Sequence, residues 1–294
     1  MLTVFLESLA VEKLESLMHV VCSGEALSPA VVSKFKNVLT TTHIHNLYGP
    51  TEAAIDVTTI DLTSVNTDEE GVTIGKPVAN TQLYVVNPSN NLQPVGVVGE
   101  LLIGGVQVSQ GYLNKPVVTA EKFIRDRFRE SGNLYKTGDL VRWLPDGNIE
   151  YLGRKDHQVK IRGYRIELGE IENCIEEVSQ VKQAVVLARK DGETKRLVAY
   201  VVTEGTLDKV EVQKYLQAKL PEYMVPSIYV SLDQIPLSIN GKVDRKALPD
   251  PVNSDIKTSV YVAPRTETEQ KLVQLWQELL RADEVGVYDN FFSL

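Results

Sequence analysis

The hydrophobic period of this chain changes from stretch to stretch, which restricts it to a mixed fold of several parts. Residues 1 to about 60 alternate helical and strand patterns. Leu14, Leu17 and Met18 suit one helix face, Val20-Val21-Cys22 reads as a short buried strand ending at Ser23-Gly24, and Pro29 opens another helix. A further strand runs into Asn46-Leu47-Tyr48-Gly49. This is α/β material, expected to be too short for a sheet of its own. From residue 61 to about 155, glycine and proline become frequent, and apolar runs such as Gln82–Val86 and Gly99–Ile103 lie between turn signals. Asp146-Gly147 separates two strand-like runs, which signals a tight hairpin. A small β-rich, barrel-like subdomain is expected there.

Residues 156 to about 250 read as α+β. Ile171, Cys174, Ile175 and Val178 make one helical face, and Val212, Tyr215, Leu216 and Leu220 another. Strands Ala184–Leu187 and Leu197–Val202 lie between them, and Asn240-Gly241 marks a second hairpin turn. Residues 251–294 begin as a polar, proline-containing linker. Thr266 and Glu269 then form a capping box before a helix with the apolar stripe Leu272, Leu275, Trp276, Leu279 and Leu280, expected to end near Ala282. One helix cannot bury such a stripe alone, so an incomplete helical domain is expected at this end.

Composition removes several function classes. Of 294 residues, 43% are hydrophobic and 24% charged, as in ordinary globular proteins. The net charge is −8, with no basic run long enough to track a phosphate backbone, which argues against nucleic acid as a partner. No apolar stretch approaches the roughly 18 residues of a membrane span. The start turns acidic at Glu7 without a basic leader, so it reads as a helix entered partway rather than a signal peptide. Cys22 and Cys174 lack metal-ligand spacing and read as reduced thiols, and the cytoplasm is the expected default location.

Chemistry concentrates in a few strings. Asn46-Leu-Tyr-Gly-Pro-Thr-Glu52 sets an aromatic face beside a tight turn, with a hydroxyl and a carboxylate that suit a base, a phosphate oxygen and Mg²⁺. On its own, a capped turn is the plainer reading. In Tyr135-Lys-Thr-Gly-Asp139 a carboxylate follows a glycine, a common way to hold a ribose. Tyr151-Leu-Gly-Arg154 adds an aromatic and a guanidinium, and Asp156 to Arg165 is densely charged, which alone reads as a solvated basic strand.

Taken in order with Leu220-Pro-Glu-Tyr-Met-Val-Pro226 and Asn240-Gly-Lys-Val-Asp-Arg-Lys-Ala-Leu248, these strings resemble the adenylation domains of nonribosomal peptide synthetases, within the adenylate-forming superfamily. The resemblance covers essentially the whole chain. It implies the end of an α/β core (1–60), a β-rich core subdomain (61–155), a mobile C-terminal subdomain (156–250), and a linker with the truncated start of a carrier domain (251–294). The last string, Asp289-Asn-Phe-Phe-Ser-Leu294, is similar to the lead-in to a carrier serine and favours the peptide-synthetase branch over acyl-CoA ligases.

The resemblance implies a two-step reaction with ATP and Mg²⁺. An amino-acid carboxylate attacks the α-phosphorus, and a phosphopantetheine thiol on a peptidyl carrier domain then takes the acyl group; neighbouring synthetase modules are the further partners. By similarity, Tyr48 stacks on adenine opposite the Gly24-Glu25-Ala26 turn, Thr51 contacts phosphate and Glu52 holds Mg²⁺. Asp139 binds the ribose with Tyr151 and Arg154 beside it, and Lys242 is the mobile catalytic lysine. Asp156 matches the hinge, and Gly163 the segment used for thioester formation. Val21, Ser23, Leu47, Ile55 and Asp56 match the amino-acid pocket, where an acid and a hydroxyl suit a small polar substrate, serine first and threonine second. The family's phosphate loop is expected upstream of Met1, so the isolated chain is expected to be impaired, or to act only as an inert carrier-docking remnant. The family usually has Ala-Arg where Ser109-Gln110 stand, a structural position.

Overall fold

The computed structural model describes residues 2–7, 14, 16–67, 71–161, 163–191, 194–205, 207–252, 262–280 and 285–288. It divides into two compact units, Met1–Asp156 and His157–Leu294.

The first unit holds two sheets. One has the order β1 (His19–Cys22), β2 (His43–Tyr48), β3 (Thr58–Asp61), β4 (Lys76–Pro77). β1 and β2 are parallel, joined by a crossover through the helix Pro29–Val38, and the remaining pairs are antiparallel. The helix starts where the sequence predicts, with Pro29 in its first turn and the Ser28 side chain accepting from the Val31 N–H. Its Val32 and Phe35 pack with Leu6, Ile44 and Leu62. Residues 19–61 therefore do form a sheet, contrary to expectation, because the crossover lets β1 and β2 pair in parallel and the chain returns antiparallel as β3. Leu14, Leu17 and Met18 do not continue a helix: a turn closed by Leu17 N–H on the Leu14 carbonyl leads to β1, and Met18 is exposed.

The second sheet contains β5 (Thr81–Val86), β6 (Gly99–Gly105), β7 (Phe123–Arg125), β8 (Asn133–Trp143) and β9 (Ile149–Arg154). The eleven-residue β8 lies beside β6 and gives its first part to β7 and its last part to β9. The β8–β9 hairpin turns at Asp146-Gly147, where Gly147 has φ +81°. No strand closes this sheet into a barrel among the described residues; its five members stay open. An isolated bridge, Gly75 to Ile149, ties the first sheet to the second. Leu83, Leu101, Ile103, Tyr135, Val141 and Ile149 form a core that reaches Ala53 and Val57, so the loop after β2 is packed against the second sheet.

In the second unit, β12 (Val181–Asp191) pairs antiparallel with β13 (Thr194–Thr203), and β14 (Ile228–Ser231) lies parallel to β13. A short hairpin, β10 (Val159–Ile161) and β11 (Tyr164–Ile166), precedes them. The helices Leu168–Glu176 and Lys209–Lys219 lay Ile171, Cys174, Ile175, Val212 and Leu216 into one core with Val186, Ala199, Val201 and Tyr229. Asp208 caps the second helix by accepting from the Val210 and Glu211 N–H groups. The helix Glu267–Leu280 opens on the reciprocal bonds of the capping box, Glu269 N–H to Thr266 Oγ1 and Thr266 N–H to Glu269 Oε2. Its Leu272, Leu275 and Leu279 are exposed. Ala282 and the string Asp289–Leu294 lie outside the described residues. No helix among the described residues is long and apolar enough to cross a membrane.

Replacing Ile171 by Ala removes a fully buried side chain from the second core and is expected to cost about 2–5 kcal/mol. Hydrogen exchange should then lose protection in β12 and β13, while β6 and β8 keep theirs.

Candidate active site

Asp139 is the node of the site. It sits in β8 almost fully buried, and the hairpin register sets it opposite Arg154 of β9. Arg154 Nη1 donates to Asp139 Oδ1 at 2.9 Å. The same guanidinium donates from Nε and Nη2 to the two oxygens of Asp156, at 2.6 and 2.7 Å, and from Nη2 to the Thr137 carbonyl at 2.9 Å. Burial works against its charge, but Asp156 and Asp139 more than restore it, so Arg154 stays cationic. Gly138, at φ +77°, makes room for this clamp: a Cβ there would lie 2.7 Å from Arg154 Nη2. The Gly138 N–H donates to Glu100 Oε1 at 3.1 Å, and Lys155 Nζ donates to the other oxygen of Glu100 at 2.6 Å.

Tyr48, at the end of β2, donates its hydroxyl to Asp139 Oδ2. Burial, then the Asp139 carboxylate, push this phenol well above its ordinary range, so it remains a donor. The ring of Tyr151 stands 6.2 Å from that of Tyr48, and burial, then Asp139, raise its hydroxyl to about 12. Tyr48, Tyr151, Asp139, Arg154 and Asp156 are thus one connected set of two aromatic faces, two carboxylates and a cation.

After Tyr48 the chain doubles back. Gly49 faces the returning strand so closely that a Cβ would lie 2.2 Å from the Ile55 carbonyl oxygen. Thr51–Ala53 form a 3₁₀ turn in which Thr51 is exposed and Glu52 buried. Tyr112 Oη donates to Glu52 Oε1 at 2.6 Å, and burial, then this bond, raise the Tyr112 hydroxyl far above its ordinary range. Ala54 and Ile55 both have positive φ, 51° and 81°, and the Asp56 N–H reaches the Ala54 carbonyl at 3.2 Å, closing a γ-turn around Ile55. A β-branched residue in this region is strained, and Ile55 is nonetheless exposed. The turn aims Asp56 at Ser23, whose Oγ donates to Asp56 Oδ1 at 2.6 Å across 33 residues of sequence.

The family model described as AMP-binding enzyme matches residues 1–113, and that described as AMP-binding enzyme C-terminal domain matches residues 170–242. Tyrocidine synthase 3 of Brevibacillus parabrevis is 52% identical over 95% of the chain, and gramicidin S synthase 2 of Brevibacillus brevis is 49% identical over 94% of it. This chain belongs to the AMP-binding enzymes, in the nonribosomal peptide synthetase branch. It spans only 4% and 6% of the length of those two synthases. A solved structure of a holo synthetase protein containing adenylation and PCP domains, bound to a vinylsulfonamide inhibitor, has a TM-score of 0.77 at 26% identity; the match covers 99% of this chain and 48% of that one.

The remaining predicted residues lie as follows. Gly24, at φ +90°, Glu25 and Ala26 form an open loop between β1 and the helix Pro29–Val38. Val21 is exposed on β1 and Leu47 half-buried on β2. Gly163, at φ +80°, is exposed between β10 and β11. Lys242 is exposed beside Gly241, in a turn where its carbonyl accepts from the Ser238 N–H at 2.7 Å. Gly163 and Lys242 belong to the second unit, the other predicted residues to the first. Sequence reasoning missed Tyr112, Thr137 and Glu100, which hold Glu52, Arg154 and Gly138; Tyr112 lies in the glycine-rich stretch, but its reach to Glu52 spans 60 positions.

Arg154→Ala is expected to leave Asp139 and Asp156 without their shared cation and to destabilise the first unit by about 3–5 kcal/mol. The fluorescence of Trp143 during denaturation reports it, while that of Trp276, in the second unit, is expected to hold its midpoint.

Proposed function

We propose that this chain is the nucleotide- and acyl-handling part of an amino-acid-activating ligase. It forms an aminoacyl-adenylate from ATP and an amino acid and passes the acyl group to a phosphopantetheine thiol on a peptidyl carrier domain. The observation that carries this reading is the convergence of Tyr48 and Arg154 on buried Asp139. A carboxylate offers about four acceptor positions, so a fixed one can take both hydroxyls of a ribose. The rings of Tyr48 and Tyr151 provide apolar faces for a base beside it. Thr51 is exposed and offers a hydroxyl for a phosphate oxygen.

Glu52 and Thr51 offer only hard oxygen donors, the set that fits Mg²⁺, with Glu52 oriented by Tyr112. Held there with ATP, such an ion would supply positive charge that offsets the phosphates. Lys242, on its exposed turn, supplies a cation where negative charge builds between the substrate carboxylate and the α-phosphate. Asp156 stands where the two units divide, in keeping with a hinge that exchanges the lysine for the segment around Gly163 between the two half-reactions. Neighbouring synthetase modules receive the loaded acyl group.

For the amino acid we propose L-serine. The Ser23–Asp56 hydrogen bond places an acceptor and a donor together, with Val21, Leu47 and Ile55 as the apolar remainder. A short hydroxylated side chain can donate to the Asp56 oxygen that Ser23 does not hold, whereas an alanine offers no such bond, a difference of about 1–3 kcal/mol.

The test is amino-acid-dependent ATP–pyrophosphate exchange by the full synthetase module carrying this sequence. Exchange is expected to be fastest with L-serine and to fall about 10²–10³-fold in Lys242→Ala. Exchange fastest with an apolar amino acid would overturn the serine assignment; none with any amino acid would overturn the activity. Asp56→Ala is expected to reduce the preference for serine over alanine about tenfold or more, measured as a ratio of kcat/KM values.

A further inference from the structure

Three of the chain's four histidines fall on two adjacent strands. His19 opens β1, and His43 and His45 alternate along β2. The parallel register pairs His19 with His43 and Val21 with His45, so the three imidazoles share one face of the sheet. Asp61 of β3 joins that face opposite His45. Two of the rings are exposed and the third is half-buried. Their centroids lie 5.1, 5.2 and 6.1 Å apart.

The nitrogens converge more closely than the rings. His19 Nδ1 and His45 Nε2 are 3.0 Å apart, and one ligand atom from each of the three residues lies within 4.8 Å of the other two. Tetrahedral ligands at metal–nitrogen bonds of about 2.0–2.1 Å are separated by about 3.3 Å. The first pair already stands near that spacing, and a ligand atom of His43 lies within 4.8 Å of both. His43 also has the partner that a ligating imidazole commonly needs: its Nδ1 lies 3.0 Å from Asp61 Oδ2, and Asp61 is itself held by the Thr63 N–H at 2.9 Å. That bond fixes the proton on Nδ1 and leaves Nε2 of His43 to donate its lone pair.

We propose that His19, His43 and His45 form a binding site for a divalent transition metal of the zinc class, with Asp61 orienting His43. Three imidazoles match the borderline softness of Zn²⁺, Ni²⁺ and Cu²⁺ better than that of Mg²⁺, so this site is chemically distinct from the oxygen donors at Glu52. A three-histidine set leaves a fourth position for water or a ligand. The same sheet face continues to Val21 and Leu47, so an ion here would sit beside the proposed amino-acid pocket.

Calorimetric titration of the purified, metal-stripped chain with Zn²⁺ alone tests this, with Co²⁺ absorption as a second readout of nitrogen ligation. One equivalent is expected to bind saturably. His45→Ala and the exposed His19→Asn should each weaken it at least tenfold, and Asp61→Asn about 10–100-fold. His157→Ala, at the fourth histidine, should bind as the parent does. Absence of saturable binding in the parent overturns the proposal. So does binding that survives both His45→Ala and His19→Asn, or that is lost in His157→Ala.

Discussion

A buried carboxylate is tolerated only when donors surround it, and Asp139 imposes that requirement on much of the first unit. Its donors come from distant places: the Tyr48 hydroxyl from the end of β2, and the Arg154 guanidinium from the end of β9. Meeting both fixes where the loop after β2 sits against the second sheet. Arg154 is then obliged to find further acceptors, and Asp156 and the Thr137 carbonyl supply them. With both of its oxygens held by donors from separate strands, the Asp139 carboxylate is fixed in place by this network.

Close backbone approach is the second constraint. Gly138 admits the guanidinium clamp, and Gly49 lets the chain fold back so that Ile55 and Asp56 pass beside it. The γ-turn at Ile55 is the cost of that return, and the packing of Ala53 and Val57 in the apolar core holds it in place. Strain is concentrated at the residue next to the Ser23–Asp56 pair.

Much of the local structure was legible because it rests on short-range chemistry. Pro29 after Ser28, the Thr266–Glu269 box and the Asp146-Gly147 turn each act within a few residues. The faces of the helices Leu168–Glu176 and Lys209–Lys219 were readable for the same reason, since one core contacts one stripe. Expectation and structure part where the outcome depends on a partner. Leu14, Leu17 and Met18 have helical spacing but lie on the approach to β1. The first strands assemble into a sheet that their short runs did not announce, and the glycine-rich region gives an open sheet.

Sequence alone determined the order of the motifs and, through it, the family to which the chain belongs, because those strings are contiguous and their chemistry is carried by residue type. It also determined the caps, turns and helix faces, which local hydrogen bonds and periodicity decide. Only the tertiary structure decided which distant side chains meet: Tyr48 with Asp139, Tyr112 with Glu52, Ser23 with Asp56, and the three histidines on one sheet face. Strand register and the closing of long loops set those meetings, and neither is written in the spacing of residues along a single segment.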